Sequence, residues 1–373
     1  MLGQSGASPV SRRGHSGPAD RFRGRGIAAN PEGRFEAWRR EAVDDGWGSL
    51  DDLALDPPPP TEVHTDRARR VISRNDSPDV PFAQSINPYR GCEHGCVYCY
   101  ARPTHNYLGL SSGLDFETRI FAKPDAPERL REELSRPGYR CRPIALGTNT
   151  DVYQPVERRL RITRRILELL AACRHPLGIV TKSALVLRDL DILAPMAAEG
   201  LASVTVSITT LDPALARRME PRAAAPHRRF EVLRMLAEAG VPCGVLVAPV
   251  IPGLTDHEME RILERAAAAG ATAASYVLLR LPHDLAELFD GWLAGHYPQR
   301  RARVLALLRE CRDGRLDDPA FGRRMSGRGT YAELLGQRFR NACRRLRLGG
   351  RALPGRCDLF RPPGEERQPD LFD

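Results

Sequence analysis

Lysine is almost missing from this chain. Among 373 residues it stands only at Lys123 and Lys182, while arginine fills 54 positions. Such a skew fits GC-rich coding, so the net charge of +9 permits attraction to phosphates without demonstrating it. The same skew singles out the two lysines, because a chain that turns so readily to arginine has kept an ammonium there. Long apolar runs are lacking too. The most apolar stretch, Val241 to Leu254, is too short to span a bilayer and carries Pro242, Pro249 and Pro252. Arg12 and Arg13 are followed by no apolar run, so no secretory signal is visible, and a cytoplasmic protein with no membrane partner is expected. An even cysteine count is also missing. Nine cysteines disfavour a complete set of disulfides, and no internal repeat is visible. What remains is 42% hydrophobic and 28% charged, which excludes a fibre or a membrane bundle and fits a globular protein.

The length allows one large domain with extensions, or two domains. Residues 1–34 are rich in Gly, Ser, Pro and Arg and are expected to be mostly disordered. A short amphipathic piece from Phe35 to Trp47 is expected to dock on the body, and Pro57 to Pro60 make a stiff linker that closes an N-terminal region of residues 1–60. From Phe82 the texture changes. β-rich runs at Ser85–Pro88, Pro143–Leu146, Gly178–Thr181, Ser203–Ile208, Gly244–Val250 and Ser275–Leu279 alternate with helical patterns. Examples are Leu160 to Cys173, Leu187 to Ala198, a face of Phe230, Leu233 and Leu236 ending at Gly240, and one of Met259, Ile262, Leu263 and Ala266. The expected fold class is α/β. Six such units make parallel βαβ crossovers, in a doubly wound sheet or a partial barrel. Residues 82–285 are the expected core, 286–348 an Arg-rich helical C-terminal extension, and 349–373 an extended tail.

In either architecture ligands bind at the carboxyl ends of the strands. That rule gives weight to INPYRGCEHGCVYCYARP, Ile86 to Pro103, which follows the first strand. Cys92, Cys96 and Cys99 are spaced C-x3-C-x2-C. In a reducing compartment a tight trio reads as metal-binding or catalytic. Three thiolates on one loop can wrap three corners of a [4Fe–4S] cubane and leave the fourth iron open. Gly91 and Gly95 would let the loop bend. The alternatives are a structural zinc site completed by His94 or His105, which would make the chain a zinc-binding interaction module, and a chance group of buried cysteines.

The cysteine spacing, with Tyr98 before the last cysteine, resembles the radical S-adenosylmethionine superfamily over about residues 82–285. GTNTDVYQPVE (Gly147 to Glu157), VTKS (Val180 to Ser183), SITT (Ser207 to Thr210) and MEPRA (Met219 to Ala223) are similar to its spore-photoproduct-lyase-like branch. The resemblance implies a partial (β/α)6 barrel of TIM type with the cluster at its mouth, ligated by Cys92, Cys96 and Cys99. S-adenosylmethionine would chelate the open iron. An electron from a flavodoxin- or ferredoxin-type reductant would then cleave it to methionine and a 5′-deoxyadenosyl radical that abstracts hydrogen from the substrate. By their places at strand ends, Thr148 and Asn149 would meet the methionine amine. Lys182 would meet the carboxylate, Ser207 the carboxylate or ribose, and Arg222 the carboxylate. Tyr98 would support the adenine, and Val250 to Gly253 resembles an adenine platform. A compact ammonium suits a cramped pocket better than a guanidinium. For each polar residue, and for Lys123, a capping or surface role is the alternative. Nucleic acid is the favoured substrate class, with a protein or a metabolite as the alternative.

One departure stands out. Spore photoproduct lyase has a hydrogen-donor cysteine just after the second strand, where this chain has Gly147; the nearest cysteine, Cys141, precedes that strand. Thymine-dimer reversal is therefore not carried over. Arg158, Arg159, Arg161, Arg164 and Arg165 read as a solvated helix face. Arg338, Arg340, Arg344, Arg345 and Arg347 would track a nucleic-acid backbone, but no clear stacking aromatics accompany them. Cys311, Cys343 and Cys357 would hold a second cluster or, as their wide spacing favours, stand as structural or free thiols. The end of the chain, Gln368 to Phe372, resembles the short peptides with which bacterial repair proteins dock on the sliding clamp.

Overall fold

The computed structural model describes residues 25–27, 29–31, 33–35, 60–350 and 354–364. Ten strands appear in chain order: β1 (Glu62–Thr65), β2 (Ile72–Arg74), β3 (Gln84–Ile86), β4 (Tyr89–Arg90), β5 (Arg119–Ala122), β6 (Ile144–Leu146), β7 (Leu177–Thr181), β8 (Ala202–Ser207), β9 (Cys243–Val250) and β10 (Ala273–Leu278). Seven form one sheet of order β10-β9-β8-β7-β6-β3-β2, in which only the β2–β3 pair is antiparallel. The six parallel strands coincide with the six expected runs.

Their order decides between the two architectures. A doubly wound sheet reverses direction at a switch point, whereas here each strand joins its predecessor on the same side. Right-handed crossovers taken always in one direction place their helices on one face. The result is a partial (β/α)6 barrel. It does not close, since β3 pairs with β2 and not with β10. β8 is buried at all six positions, as expected of a parallel strand covered on both faces. The covering helices include Ile162–Ala172, Leu190–Ala198, Pro226–Glu238 and Met259–Ala268. Ile166, Leu193, Leu233 and Ile262 form one apolar core with Ile86, Leu146, Ile179 and Val204.

Three features escaped the sequence reading. A small sheet of order β1-β5-β4 flanks the cysteine loop, built from strands of two to four residues whose pairing spans distant segments. The C-terminal extension contains helices Leu285–His296, Pro298–Glu310 and Thr330–Leu346. Phe289, Trp292 and Leu305 from the first two share a core with Cys96, Val97 and Ile251, so the extension walls the cysteine loop. On the third helix, Arg338 pairs with Glu260 at 2.7 Å and Arg345 with Glu264 at 2.6 Å, so these arginines dock the helix on its neighbour. The disorder expected over 1–34 does not extend to Arg25–Ile27: Ile27 is buried and Gly26 N donates to Glu117 Oε2 at 2.9 Å. Apart from Phe35, the amphipathic piece lies outside the described residues, as do Pro57 to Pro59 of the linker and the clamp-like peptide Gln368 to Phe372. No described helix is long and apolar enough to cross a membrane.

Candidate functional site

The cysteine loop leaves β4 through two glycines with positive φ. A Cβ on Gly91 (φ 79) would stand 2.9 Å from Phe116 O, and one on Gly95 (φ 68) would stand 2.7 Å from Glu117 Oε2. Both positions therefore require glycine. Cys92 and Cys96 are buried, and Cys99 is half-buried. Burial pushes the Cys92 thiol well up and that of Cys96 to about 12, with the neighbouring sulfurs adding to the rise. The loop thus holds these two thiols protonated, and a metal bound there would have to displace those protons.

Residues of the GTNTDVYQPVE motif grip this loop from one side. Thr150 Oγ1 and Gln154 Nε2 donate to Gly91 O at 2.6 and 3.2 Å. Glu93 N donates to Gln154 Oε1 at 2.9 Å, and Val156 N donates to the Glu93 carboxylate at 2.6 Å. Asp151 faces His94 Nδ1 at 3.3 Å and also accepts from Thr181 Oγ1, Lys182 N and Tyr153 N at 2.8, 2.8 and 2.9 Å. Burial alone would raise its pKa. The His94 ring and the N–H donors outweigh burial and hold it at about 2. From the other side, the fully buried Arg102 guanidinium donates to Cys96 O and Gly113 O, both at 2.8 Å, and to the Glu117 carboxylate. Glu117 also accepts from Gly26 N and Ile27 N. The sequence reading quoted the motif but assigned Asp151 and Gln154 no role. Nothing local in the sequence marks Glu117.

The carboxyl ends of β7 and β8 bring three of the expected residues together. Lys182 Nζ donates to Ser207 Oγ at 3.0 Å and lies 5.8 Å from the centre of the Tyr98 ring. Tyr98 Oη bonds to Thr209 Oγ1 at 3.1 Å and donates to Glu220 at 2.5 Å. Burial would raise the Glu220 pKa, but the Arg229 and Lys182 charges prevail and lower it. Arg229 in turn donates to Ser207 O at 3.0 Å. Ile251 and Leu254, at and beside the expected adenine platform, pack in one core with Cys96, Val97 and Tyr98. Thr148 and Asn149 are both anchored by the Asn87 side chain. Lys123 is half-buried with Nζ on Asn87 O at 3.0 Å, a supporting position. Arg222 does not join Lys182. Its guanidinium is engaged by Glu93 at 3.1 Å and Thr61 Oγ1 at 3.3 Å, on the outer side of the cysteine loop.

Among the described residues no three Cys, His, Asp or Glu side chains close around one metal ion. His94 meets Asp151 through Nδ1 alone, and His105 meets Arg119 O through Nε2 while its buried Nδ1 has no partner among the described residues, so each ring keeps one nitrogen for a further ligand. A cubane spreads its thiolates over separate corners, which a three-cysteine loop can match. The Cys141 thiol meets Cys357. Gly147 (φ 89) has no room for a side chain, since a Cβ there would stand 2.3 Å from Val180 O.

The Radical SAM superfamily model matches residues 86–266, from β3 to the helix before β10. An uncharacterized protein of Mycobacterium tuberculosis is 41% identical over 232 residues, covering 62% of this chain and 68% of that protein. An uncharacterized protein of Methanocaldococcus jannaschii is 28% identical over 200 residues, covering 53% and 71%. Among solved structures, a spore photoproduct lyase variant with bound AdoMet and dinucleoside spore photoproduct shares the fold at a TM-score of 0.56. It is 17% identical, with 83% of this chain and 85% of that one covered. A single-substitution variant of the same lyase gives 0.55 at 18% identity, covering 77% and 79%. With a matching family model, a related sequence covered over two thirds of its length, and a cysteine loop at the mouth of a partial (β/α)6 barrel, the chain belongs to the radical SAM superfamily of S-adenosylmethionine-dependent radical enzymes.

Proposed function

We propose that this protein holds a [4Fe–4S] cluster on Cys92, Cys96 and Cys99, cleaves S-adenosylmethionine reductively, and acts on nucleic acid. The observation that carries the reading is the contact of Lys182 with Ser207 against Tyr98, two strand ends from the cysteine loop and joined to it through Asp151. When bound, the cluster would supply one low-potential electron, received from a flavodoxin- or ferredoxin-type protein, to the sulfonium. Lys182 would pair with the methionine carboxylate, and Ser207 would hydrogen-bond the carboxylate or ribose. Thr148 and Asn149, held by Asn87, would receive the amine. Tyr98 would back the adenine, and Arg222 would brace the loop through Glu93. Glu220 and Arg229 would keep Tyr98 and the end of β8 in place.

The substrate class is supported at the mouth. Tyr100, beside Cys99, is 48% exposed with the Arg280 guanidinium 5.3 Å from its ring centre. Phe321 is 59% exposed under Arg324 at 4.9 Å. Aromatic rings interleaved with guanidinium groups are what single-stranded nucleic acid stacks on. With Gly147 closed to any side chain, hydrogen return through a thiol at that position is not part of the proposal.

The test is anaerobic reconstitution followed by metal and product analysis. Four irons with acid-labile sulfide, and 5′-deoxyadenosine formed under reductant, support the reading. Cys→Ala at Cys92, Cys96 or Cys99 should abolish both. One zinc per chain without sulfide would replace it with a zinc-binding module. Deuterium passing from labelled DNA or RNA into 5′-deoxyadenosine tests the substrate class. Transfer only from a protein or metabolite would overturn that part.

A further inference from the structure

Some arginines of the outer helices are neutralised where they stand. Arg164 pairs with Asp189 and Asp191, Arg301 with Asp290, and Arg338 with Glu260. Around the edge strand β2 several unpaired arginines lie together. Arg67, Arg69, Arg70, Arg74, Arg136, Arg140 and Arg142 are all exposed, and none has an ion pair among the described residues. The nearby Asp66 carboxylate is taken by Arg90.

Three of these arginines converge. Arg70, Arg74 and Arg136 line one cavity of about 390 Å³ together with Gln84, Tyr139 and Glu133. Glu133 is the one acid on its wall, and its Oε1 already accepts from Val71 N. The rest of the polar wall is fixed in place. Tyr139 Oη donates to Gln84 Oε1 at 2.9 Å, and Gln84 Nε2 donates to Arg140 O at 3.4 Å. Arg74 is paired in register with Gln84, the first residue of β3. The cavity therefore sits toward the amino ends of the parallel strands, away from the cysteine loop at their carboxyl ends.

The chemistry of this wall selects its ligand. Three permanently charged forks face one committed carboxylate, and guanidinium groups match phosphate oxygens in pairs. The volume lies within the range of small-ligand sites. Arg67, Arg69, Arg140 and Arg142 carry the positive surface beyond the cavity, farther than one nucleotide would use. We infer that this edge cavity binds phosphate esters, those of a nucleic-acid backbone running over the basic rim, with a free nucleotide as the other source of the same group. The inference rests on charge and shape alone and needs no turnover, so it survives or fails independently of the radical chemistry.

The test is fluorescence anisotropy of a labelled single-stranded DNA oligonucleotide with the full-length, cluster-loaded protein across a salt series. AMP and inorganic phosphate serve as competitors. Each lost phosphate contact should lower the slope of log K against log salt by about 0.7 on a single strand, so Arg70→Ala, Arg74→Ala and Arg136→Ala combined should lower it by about 2. The same three positions changed to lysine should keep the slope, because the point charges still release counterions. Iron content and 5′-deoxyadenosine formation should match the parent protein, which excludes unfolding. Weak competition by AMP assigns the site to the backbone. AMP binding as tight as the oligonucleotide, and lost in the alanine variant, keeps the phosphate-ester site and reassigns its source. An alanine variant with unchanged affinity and slope for every probe overturns the inference.

Discussion

Changing Asp151 to asparagine isolates the joint between the cysteine loop and the β7 end. The carboxylate is 9% exposed and faces four donors, from His94, Thr181, Lys182 and Tyr153. Its pKa falls from 3.8 to about 2. At about 1.4 kcal/mol per unit, the charged form stabilises the fold by about 2 kcal/mol. So little exposure calls for no discount for solvent screening. The sign follows from the depressed pKa. This stabilisation is complete above the ordinary value near 3.8 and is lost as pH falls through about 2. The Asp151→Asn amide also turns an N–H₂ toward donors, which adds about 1–3 kcal/mol at any pH. Urea unfolding of the metal-free chain at pH 7 should therefore place the variant about 3–5 kcal/mol below the parent. The gap should narrow by about 2 kcal/mol as the acid limb is approached. An unchanged urea midpoint at neutral pH, or a gap that widens on acidification, would refute the reasoning.

Two further substitutions probe the strand ends. Gly147→Cys must place a Cβ 2.3 Å from Val180 O at a φ of 89. It should cost at least about 2 kcal/mol in thermal or urea unfolding, and a variant as stable as the parent would show that the backbone yields there. Lys182→Met removes the ammonium that meets Ser207 Oγ at 3.0 Å. Calorimetric titration of the anaerobic holoenzyme should show S-adenosylmethionine bound about tenfold or more weakly, since a charge-assisted hydrogen bond is worth about 1.5–3 kcal/mol. Equal affinity would remove Lys182 from the carboxylate subsite.

The inner parallel strands were legible because they are buried on both faces and read as short apolar runs between helical periods. Ala202–Ser207 and Cys243–Val250 are the clearest cases. Strands β1, β4 and β5 were not legible, because their pairing spans distant segments. At the site, Lys182 and Ser207 were readable from their places at strand ends. Arg222 was readable as a motif member, but its direction was not, since Glu93 sits far away in sequence and close in space. The grip on the cysteine loop was visible as the string GTNTDVYQPVE without a role attached. Which backbone groups Thr150 and Gln154 would meet is fixed only when β6 lies beside β3.

By itself, the sequence determined the cysteine trio, the alternation of strands and helices, and the glycines that turn the loop. Each of these depends on residue type and spacing within one stretch of chain. Tertiary structure alone decided that the sheet runs in unbroken order and stays open. It also decided that Glu117 and Arg102 lock Gly26 against the cysteine loop, and that seven arginines near one sheet edge have no carboxylate partner among the described residues. Burial, charge pairing and close approach are properties of neighbours in space, and a linear order of residues does not contain them until the chain has folded.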